Sequence, residues 1–234
     1  MKISLFWCGV FALCLFAACK KDNTTLSSEV SQPDPLLSLK DSCSFQVEGE
    51  SYFFTNPHVI GMRNAEANRN KLDSVVKGVK YYSGDKDSVA FSRYYGFFNR
   101  DSGFGFKIHF IKKYNKKEMG LNAFNILMPE NKLDLFQPGN YGYAVDYEKE
   151  DATNGIAVEF SEGGIFYSYS RVAAGRPTVI TSESQQYSKF EIIRLVKLTN
   201  GTYLLEAKFN VIVFDYTEKV KKNIENGYLR LILY

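Results

Sequence analysis

Residues 188–216 read SKFEIIRLVKLTNGTYLLEAKFNVIVFDY, with Asn200-Gly201 near the middle. An Asn-Gly pair tolerates the positive φ values of a type I′ turn, so the sequence predicts two antiparallel strands joined there. A turn centred on this pair places Leu198 opposite Tyr203 and Phe190 opposite Val211. One face then carries Phe190, Ile192, Val196, Leu198, Tyr203, Leu205, Ala207, Phe209 and Val211. The alternation is broken by Ile193, Arg194, Leu195 and Leu204.

The rest of the body repeats this character, with short alternating segments separated by Gly, Pro and Asn turns. Aromatic residues make up 15% of the chain, and Phe and Tyr favour strands. We therefore predict an all-β protein, an antiparallel β-sandwich of about ten to twelve strands. Residues 56–77 are interpreted mainly as a loop, and 119–128 as either a short helix or a strand. The β domain is expected over 42–234, as one unit or as two packed sub-sandwiches dividing near 129–138.

Charge and cysteine content exclude several classes of protein. The formal net charge is +3, and removal of residues 1–18, which hold one Lys and no acidic residue, leaves +2. Nucleic-acid binding is not expected, because it usually requires a clustered basic face. Of the four cysteines, Cys8, Cys14 and Cys19 belong to the N-terminal leader and Cys43 to the body. The sequence therefore predicts no disulfide framework.

The leader predicts export from the cytoplasm. Lys2 precedes an apolar run over 5–16, and Ala17-Ala18-Cys19 closes it. This is the pattern of a secretory signal peptide, and it is short for a membrane span. The segment that follows, 20–41, is rich in Ser, Thr, Asn, Asp and Pro, so we expect it to be a flexible tether.

Residues 16–19, Phe-Ala-Ala-Cys, resemble the lipobox of bacterial lipoproteins. The resemblance implies cleavage after Ala18 and palmitate-type acylation of Cys19, which would anchor the protein in the outer membrane. Phe16 departs from the usual aliphatic residue, and ordinary signal-peptidase cleavage after Ala18 is the alternative. Lys20-Lys21-Asp22 resembles the surface-export signals of Bacteroidota-type lipoproteins, although a generic linker reads the same way. Surface and periplasmic locations both stay open.

The second half resembles uncharacterised Bacteroidota-type lipoproteins with immunoglobulin-like β-sandwich domains. The resemblance covers about 136–234 and rests on turn and strand motifs at Pro138–Tyr141, Ser188–Ile192, Gly201–Tyr203, Ala207–Asn210 and Asn226–Leu229. These motifs imply the fold and carry over no catalytic or ligand-binding residue.

Catalysis and metal binding find little support in the sequence. The two histidines, His58 and His109, have no second His or Cys at ligand spacing, and His109 is predicted on a solvent face. No nucleophile elbow or phosphate-binding loop occurs. Cys43 is interpreted as a small buried hydrophobe at the start of a strand. We expect no catalytic residue, no metal and no cofactor other than the lipid on Cys19.

Two charged segments can each be interpreted in two ways. Asp146, Glu148, Glu150 and Asp151 follow a strand; they form either a solvated acidic turn or, with the first three on one side of an extended chain, a calcium site. The segment fails the EF-hand pattern. The lysines of 112–117 are a solvated hairpin tip or a contact for an anionic glycan or lipid.

Aromatic residues provide the functional hypothesis. The pair Tyr94-Tyr95 places rings on both sides of its strand, as do Tyr167 and Tyr169 against Phe166. Either a second layer covers both faces, or exposed tyrosines stack on sugar rings or on a protein partner. Tyr94, Tyr95, Tyr167 and Tyr169 are therefore the candidate ligand-binding residues. The sequence predicts a lipid-anchored binding or scaffolding protein and no enzyme; a glycan-binding accessory protein and a carboxylate-based glycoside hydrolase are the alternatives.

Overall fold

The computed structural model describes residues 34–173 and 176–234. The predicted leader at 1–18 and Cys19 lie outside these residues. In the described part the protein is all-β, with fifteen strands and four 3₁₀ turns. None of the helical segments among these residues is long and apolar enough to span a membrane. The strands are β1 (Ser42–Val47), β2 (Glu50–Thr55), β3 (Val59–Ala67), β4 (Leu72–Val76), β5 (Val79–Tyr82), β6 (Asp85–Asn99), β7 (Phe104–Asn115), β8 (Met119–Leu121), β9 (Leu127–Pro129), β10 (Gly139–Tyr141), β11 (Gly155–Ser161), β12 (Ile165–Tyr167), β13 (Lys189–Lys197), β14 (Tyr203–Asp215) and β15 (Lys221–Leu233).

Eleven of these strands form one large sheet. Its order is β2-β1-β15-β14-β12-β11-β7-β6-β3, and β13 pairs with β14 and with β10. The pairs between strands are antiparallel, with one isolated parallel bridge between Tyr143 and Ile156. Two further hairpins, β4–β5 and β8–β9, stand as two-stranded sheets.

The core lies between strands that are not neighbours in the sheet order. Phe209 of β14 stacks on Phe106 of β7 with ring centroids 5.5 Å apart. Phe190 of β13 meets Phe110 of β7 edge to face at 5.8 Å. One cluster of buried side chains unites residues from both sides of 129–138, so the apolar interior is continuous across that segment.

The hairpin at 188–216 is confirmed as β13 and β14, but its predicted register is wrong. Lys197 lies opposite Tyr203, one residue away from the prediction, and Phe190 lies opposite Phe209, two residues away. Each shift in register has a local cause. The one-residue shift at Lys197 arises in the turn, and the additional residue at Phe190 comes from a β-bulge, which adds one residue to one strand of a pair.

The bulge at Ile193 accounts for three of the four residues that broke the predicted alternation, Ile193, Arg194 and Leu195. It moves Leu195 onto the core face opposite Leu205 and sends Arg194 to the other face opposite Glu206. Arg194 Nη1 lies 3.4 Å from Glu206 Oε2. A single inserted residue therefore keeps an arginine out of the apolar interior.

The turn of this hairpin has three residues and not two. The Leu198 N–H donates to the Thr202 carbonyl at 2.8 Å, and Gly201 takes a positive φ of 88° while Asn200 does not. This is the three-residue hairpin loop whose last residue is a glycine in the left-handed backbone conformation. The predicted type I′ geometry, with positive φ at both central residues, occurs instead at Glu48-Gly49 and at Lys77-Gly78.

Strands also occur in two segments for which the sequence predicted either a loop or an undecided choice between helix and strand. The loop prediction for 56–77 is wrong, since β3 pairs with β6 and β4 pairs with β5. The segment 119–128 contains β8 and the start of β9, which selects the strand over the helix. Pairing with a long neighbour overrides the weak intrinsic preference of the Asn-rich run.

Candidate functional site

The four tyrosines proposed from the sequence divide between two faces of the sheet. Tyr95 points into the main core and Tyr169 into a smaller cluster, and each is 1% exposed. Neither contributes to an exposed stacking surface, which corrects that part of the prediction. Tyr94 and Tyr167 are half-buried and keep part of their surface in solvent.

Tyr94 and Tyr167 occupy the same face, opposite to the main core. Strand pairing places Tyr94 beside His109, Lys107 beside Glu159, and Glu159 beside Tyr167. Residues two apart on a strand share a face, so these five side chains cross four adjacent strands on one side. We call this surface the Tyr94–Tyr167 face. Its two rings lie on either side of a pair of opposite charges.

Glu159 is the centre of a hydrogen-bond network on this face. Its Oε2 accepts from Lys107 Nζ at 2.8 Å, and its Oε1 accepts from His109 Nε2 and from the Tyr169 hydroxyl, both at 3.0 Å. The other ring nitrogen of His109 lies 3.0 Å from the Tyr147 hydroxyl. Both carboxylate oxygens are therefore occupied by protein donors.

The predicted exposure of His109 is wrong. The residue is 3% exposed, with the Tyr147 ring 4.7 Å and the Tyr94 ring 5.3 Å from its own ring. The alternation along β7 was correctly interpreted, and His109 does point away from the main core. A second layer covers this face, however, because the segment after β10 folds back over the sheet.

Burial and hydrogen bonding set the charge states in the network. Burial opposes ionisation of Glu159, but hydrogen bonds from His109 and Lys107 outweigh it and lower the pKa of Glu159 to about 2. Burial lowers the pKa of His109, and Glu159 offsets this only in part. At neutral pH the ring is therefore neutral, with Nε2 donating to Glu159 and Nδ1 accepting from Tyr147.

The covering segment is held by a bidentate ion pair. Arg63 on β3 places its two terminal nitrogens 2.8 Å from the two oxygens of Asp151, and its guanidinium lies 5.1 Å above the centre of the Tyr147 ring. A two-point Arg–carboxylate contact defines orientation as well as distance. The smaller apolar cluster beneath consists of Ile111, Ala144, Tyr147, Ala157 and Tyr169.

Three of the acidic side chains of this segment, those of Asp146, Glu148 and Asp151, bond to groups within the protein. The segment is a series of turns and is not extended, so the predicted alignment of Asp146, Glu148 and Glu150 on one side does not form. Asp146 Oδ2 accepts from the Ala152 N–H at 2.8 Å, and Glu148 pairs with Arg171. In residues 34–173 and 176–234 no group of three or more acidic, His or Cys side chains is placed to hold a metal ion.

Gly61 leaves the space that Tyr94 occupies. A Cβ atom built on Gly61 would overlap the Tyr94 ring, so the ring lies directly over the glycine on the neighbouring strand. An aromatic side chain packed over a cross-strand glycine is held in one orientation at small cost. Tyr94 is thus positioned by β3 below it and by His109 beside it.

The β4–β5 hairpin has a different environment from the rest of the sheet. Its register pairs Val76 with Val79 on one face and Val75 with Lys80 on the other. Three large apolar side chains lie on each face, and all are at least one-third exposed: Leu72, Val75, Val76, Val79, Tyr81 and Tyr82. Within the described residues, β4 and β5 pair only with each other.

Two other predicted features are located by the structure. Cys43 is a buried free thiol on β1, as predicted, and burial raises its pKa well above the ordinary value. The lysine-rich 112–117 is not only a turn, because β7 continues to Asn115 before a 3₁₀ turn. Lys112 Nζ lies 3.5 Å from Asp134, a long contact for an ion pair.

The network around Glu159 was not found from the sequence. Lys107, His109 and Glu159 are unremarkable polar positions on alternating strands, and no motif spaces them. They meet because β7 pairs with β11 over seven positions. Only the pairing partner and the covering segment, both set by tertiary contacts, reveal the network.

We compared the chain with protein families, with curated proteins and with solved structures, and none of the three comparisons gave a match.

Proposed function

We propose that this protein is a lipid-anchored binding protein of the bacterial cell envelope that performs no catalysis. Its body would be a β-sandwich of the immunoglobulin-like type, tethered through acylated Cys19 to the outer membrane. The lipobox-like residues 16–19 and the polar tether support the anchor. The ring contacts between β7 and both β13 and β14 support the sandwich.

The main observation in favour of a binding role is the exposure of apolar side chains on the β4–β5 hairpin. A two-stranded hairpin is at best marginally stable in water, and this one exposes apolar side chains on both faces. Exposed apolar patches of this kind mark interaction surfaces. A protein partner with a cleft would cover both faces and could also pair with the free strand edges, which lipid cannot do.

The charge of the hairpin indicates an acidic partner. Arg69, Lys71, Lys77 and Lys80 stand against the single acid Asp73 over residues 68–82. None of the five takes part in an ion pair within the described part of the chain. Their positive potential is available to steer an acidic protein surface towards the apolar hairpin.

A photo-crosslinking experiment in living cells tests this proposal. A benzophenone amino acid at Val79 should give one protein adduct of defined mass, and the same group at Val179, which is similarly exposed, should not. Charge reversal of Lys77 and Lys80 should abolish the adduct, whereas reversal of Lys116 and Lys117 should leave it. Adducts only to lipid or to copies of the chain, or equal adducts at both positions, would refute the proposal.

The Tyr94–Tyr167 face supports a second candidate, glycan binding. Two part-exposed tyrosine rings on a rigid sheet can stack on sugar rings, and the Lys107–Glu159 pair between them can exchange hydrogen bonds with hydroxyl groups. The two tyrosines lie three strand spacings, about 14 Å, apart across the sheet and are offset by two residues along it, which suits an oligosaccharide better than a single sugar.

Gly61→Ala provides a sharp test of the glycan candidate. The new methyl group should displace the Tyr94 ring without removing it, so polysaccharide retention should fall as it does for Tyr94→Ala. Tyr187→Ala, at a tyrosine that is 74% exposed elsewhere, is the control and should leave retention unchanged. Retention that all three variants preserve would eliminate this face as a glycan site.

The hydrolase alternative can be separated by the same preparations. A glycoside hydrolase needs one carboxylic acid as proton donor, and the lowered pKa of Glu159 keeps that side chain ionised. We expect no hydrolysis of any polysaccharide that is retained. Hydrolysis abolished by one Asp or Glu substitution would overturn the assignment as a non-enzyme.

The anchor is tested independently of any ligand. Cys19→Ser should abolish palmitate labelling and release the protein from membranes, and labelling that persists would rule out the lipobox. Protease treatment of intact cells then separates the two locations. Digestion of the domain in intact cells would indicate that it is exposed on the cell surface. Protection from the protease until the cells are lysed would indicate that it lies in the periplasm.

A further inference from the structure

A small apolar pocket opens beside the edge of the large sheet, away from the Tyr94–Tyr167 face and from the β4–β5 hairpin. It has a volume of about 200 Å³ and lies between β3, β6, β9 and the 3₁₀ turn that contains Leu135. Phe91 and Leu135, both almost fully buried, form part of its wall together with Met62 and Met128. Pockets with such walls bind the apolar part of small molecules.

The two charged side chains that line this pocket are both positive. Arg93 and Lys132 line it, and none of its lining residues is acidic. Among residues 34–173 and 176–234, neither cation has a carboxylate within ion-pair distance. Lys132 is exposed, so water can satisfy it, but Arg93 is half-buried.

Arg93 is held in place by aromatic rings. It lies on β6 between Phe91 and Tyr95 on the face that points to the core, and its guanidinium is 5.6 Å from the Tyr95 ring centre and 5.9 Å from that of Phe136. Stacking orients the guanidinium plane but leaves its N–H groups without a charged acceptor. A partly desolvated cation in an apolar pocket favours an anionic occupant.

We propose that this pocket binds a small amphipathic anion, with a carboxylate or similar group on Arg93 and Lys132 and a short acyl chain or single ring against Met62, Phe91 and Leu135. The volume is below the 300–1,000 Å³ of sites for drug-sized ligands, which excludes a nucleotide or a full lipid. The anion supplies the charge that Arg93 lacks, and the apolar part fills the cavity.

Methyl NMR provides a direct test, because two of the four methionines of the chain, Met62 and Met128, line the pocket. Hexanoate and benzoate added to the full chain should shift both methyl signals saturably and leave the Met119 signal in place. The neutral hexanamide and benzamide should bind at least about tenfold more weakly, because they cannot form the charge-assisted contact. Equal binding of acid and amide, or no saturable shift, would overturn the proposal.

Substitutions locate the anion contact. Arg93→Met keeps a long apolar side chain over the rings and should weaken hexanoate binding by at least about tenfold, with hexanamide binding unchanged. Lys132→Met should weaken it by only about two- to threefold, since exposed charges are screened. Arg100→Met, in an exposed turn, is the matched control and should have no effect.

If the Arg93 variant does not fold, a second variant whose larger side chain fills the pocket still tests the proposal. Met62→Trp changes a side chain that is 40% exposed on the edge strand, so the fold should tolerate it. The larger ring should abolish the Met128 shift with either carboxylate. A Met128 shift of full size in a folded Met62→Trp protein, or hexanoate affinity unchanged in a folded Arg93→Met protein, would place the ligand elsewhere and refute the proposal.

Discussion

The two faces of β7 and β11 are closed by different kinds of interaction. On one face Phe106, Ile108 and Phe110 are almost completely buried against rings from β13 and β14. On the other face His109 is equally buried, but its contacts are hydrogen bonds to Glu159 and Tyr147. The same two strands therefore support an apolar core on one side and a directional polar network on the other.

This difference separates stability from specificity. Apolar burial is roughly proportional to area and tolerates several packings, whereas a buried hydrogen-bond network is favourable only when every partner is in place. The polar side thus defines one position for the covering segment and orients Tyr94 and Tyr167. Four experiments test this distinction, ordered by expected effect.

Removal of an aromatic ring from the core face should have the largest effect. Phe110→Ala deletes a fully buried side chain that contacts Tyr95, Phe136 and Phe190, and should lower the free energy of unfolding by about 3–5 kcal/mol. Phe124→Ala, at a ring that is 82% exposed, should change it by less than about 0.5 kcal/mol. Urea denaturation measures both, and similar losses would mean that the core is misplaced.

Neutralising the centre of the polar face should have the next largest effect. Glu159→Gln removes the negative charge that pairs with Lys107 and replaces one carboxylate oxygen by an NH2 donor, so either Lys107 or the His109 and Tyr169 pair loses its acceptor, at a cost of about 3 kcal/mol. Glu191→Gln, at an exposed position on β13, is the matched control, with less than about 0.5 kcal/mol. A loss below about 1 kcal/mol for Glu159→Gln would show that the network contributes little to folding.

Alanine substitutions at two glycines, one on each face, compare the packing of the two faces directly. A Cβ atom on Gly227 would meet the Phe209 ring and backbone within 2.6 Å in the core, so Gly227→Ala should cost about 2 kcal/mol. Gly61→Ala meets only the movable ring of Tyr94 and should cost less than about 1 kcal/mol. Thermal unfolding of the pair gives the comparison, and the reverse order would contradict it.

The pH dependence of stability near pH 6 should show the smallest effect, and His109 on the polar face should contribute to it. Because burial lowers the pKa of His109, the unfolded chain binds more protons below about pH 6.5 than the folded protein does. The free energy of unfolding should therefore fall as the pH decreases through that region. A further decrease should follow between about pH 4.5 and 2, where Glu159 becomes protonated.

Substitution identifies the histidine. His109→Gln should flatten the slope below pH 6.5, whereas His58→Gln, at an exposed residue, should leave it as in the wild type. Denaturant titrations at several pH values measure the slopes. An unchanged slope in His109→Gln would mean that the ring is not neutral in the folded protein.

The sequence predicted the all-β class because its signals are local. Period-2 alternation located β7, and the apolar run around Asn200-Gly201 located β13 and β14. The register failed where a single residue changes it, at the three-residue loop and at the bulge of Ile193. Turn chemistry near an Asn-Gly pair does not distinguish a two-residue loop from a three-residue loop, so this detail was beyond local reasoning.

The candidate site was predicted only in part. Tyr94 and Tyr167 lie on one face as alternation requires, while Tyr95 and Tyr169 are buried by other elements. Exposure depends on what covers a face, and the covering segment at 142–151 has no periodic pattern. The same reasoning explains why His109 was placed in solvent and why the Arg93 pocket could not be foreseen.

By itself, the sequence determined most of the strand-forming segments, the positions of most turns and the chemistry available on each strand face, since these follow from residue type and spacing. The tertiary structure alone decided which strands pair, which faces are covered, and that Lys107, His109 and Glu159 meet. The physical reason is that local backbone preferences act over a few residues. Contacts between β7, β11 and the covering segment join groups about 40 to 50 positions apart, where only packing and hydrogen bonding select the partner.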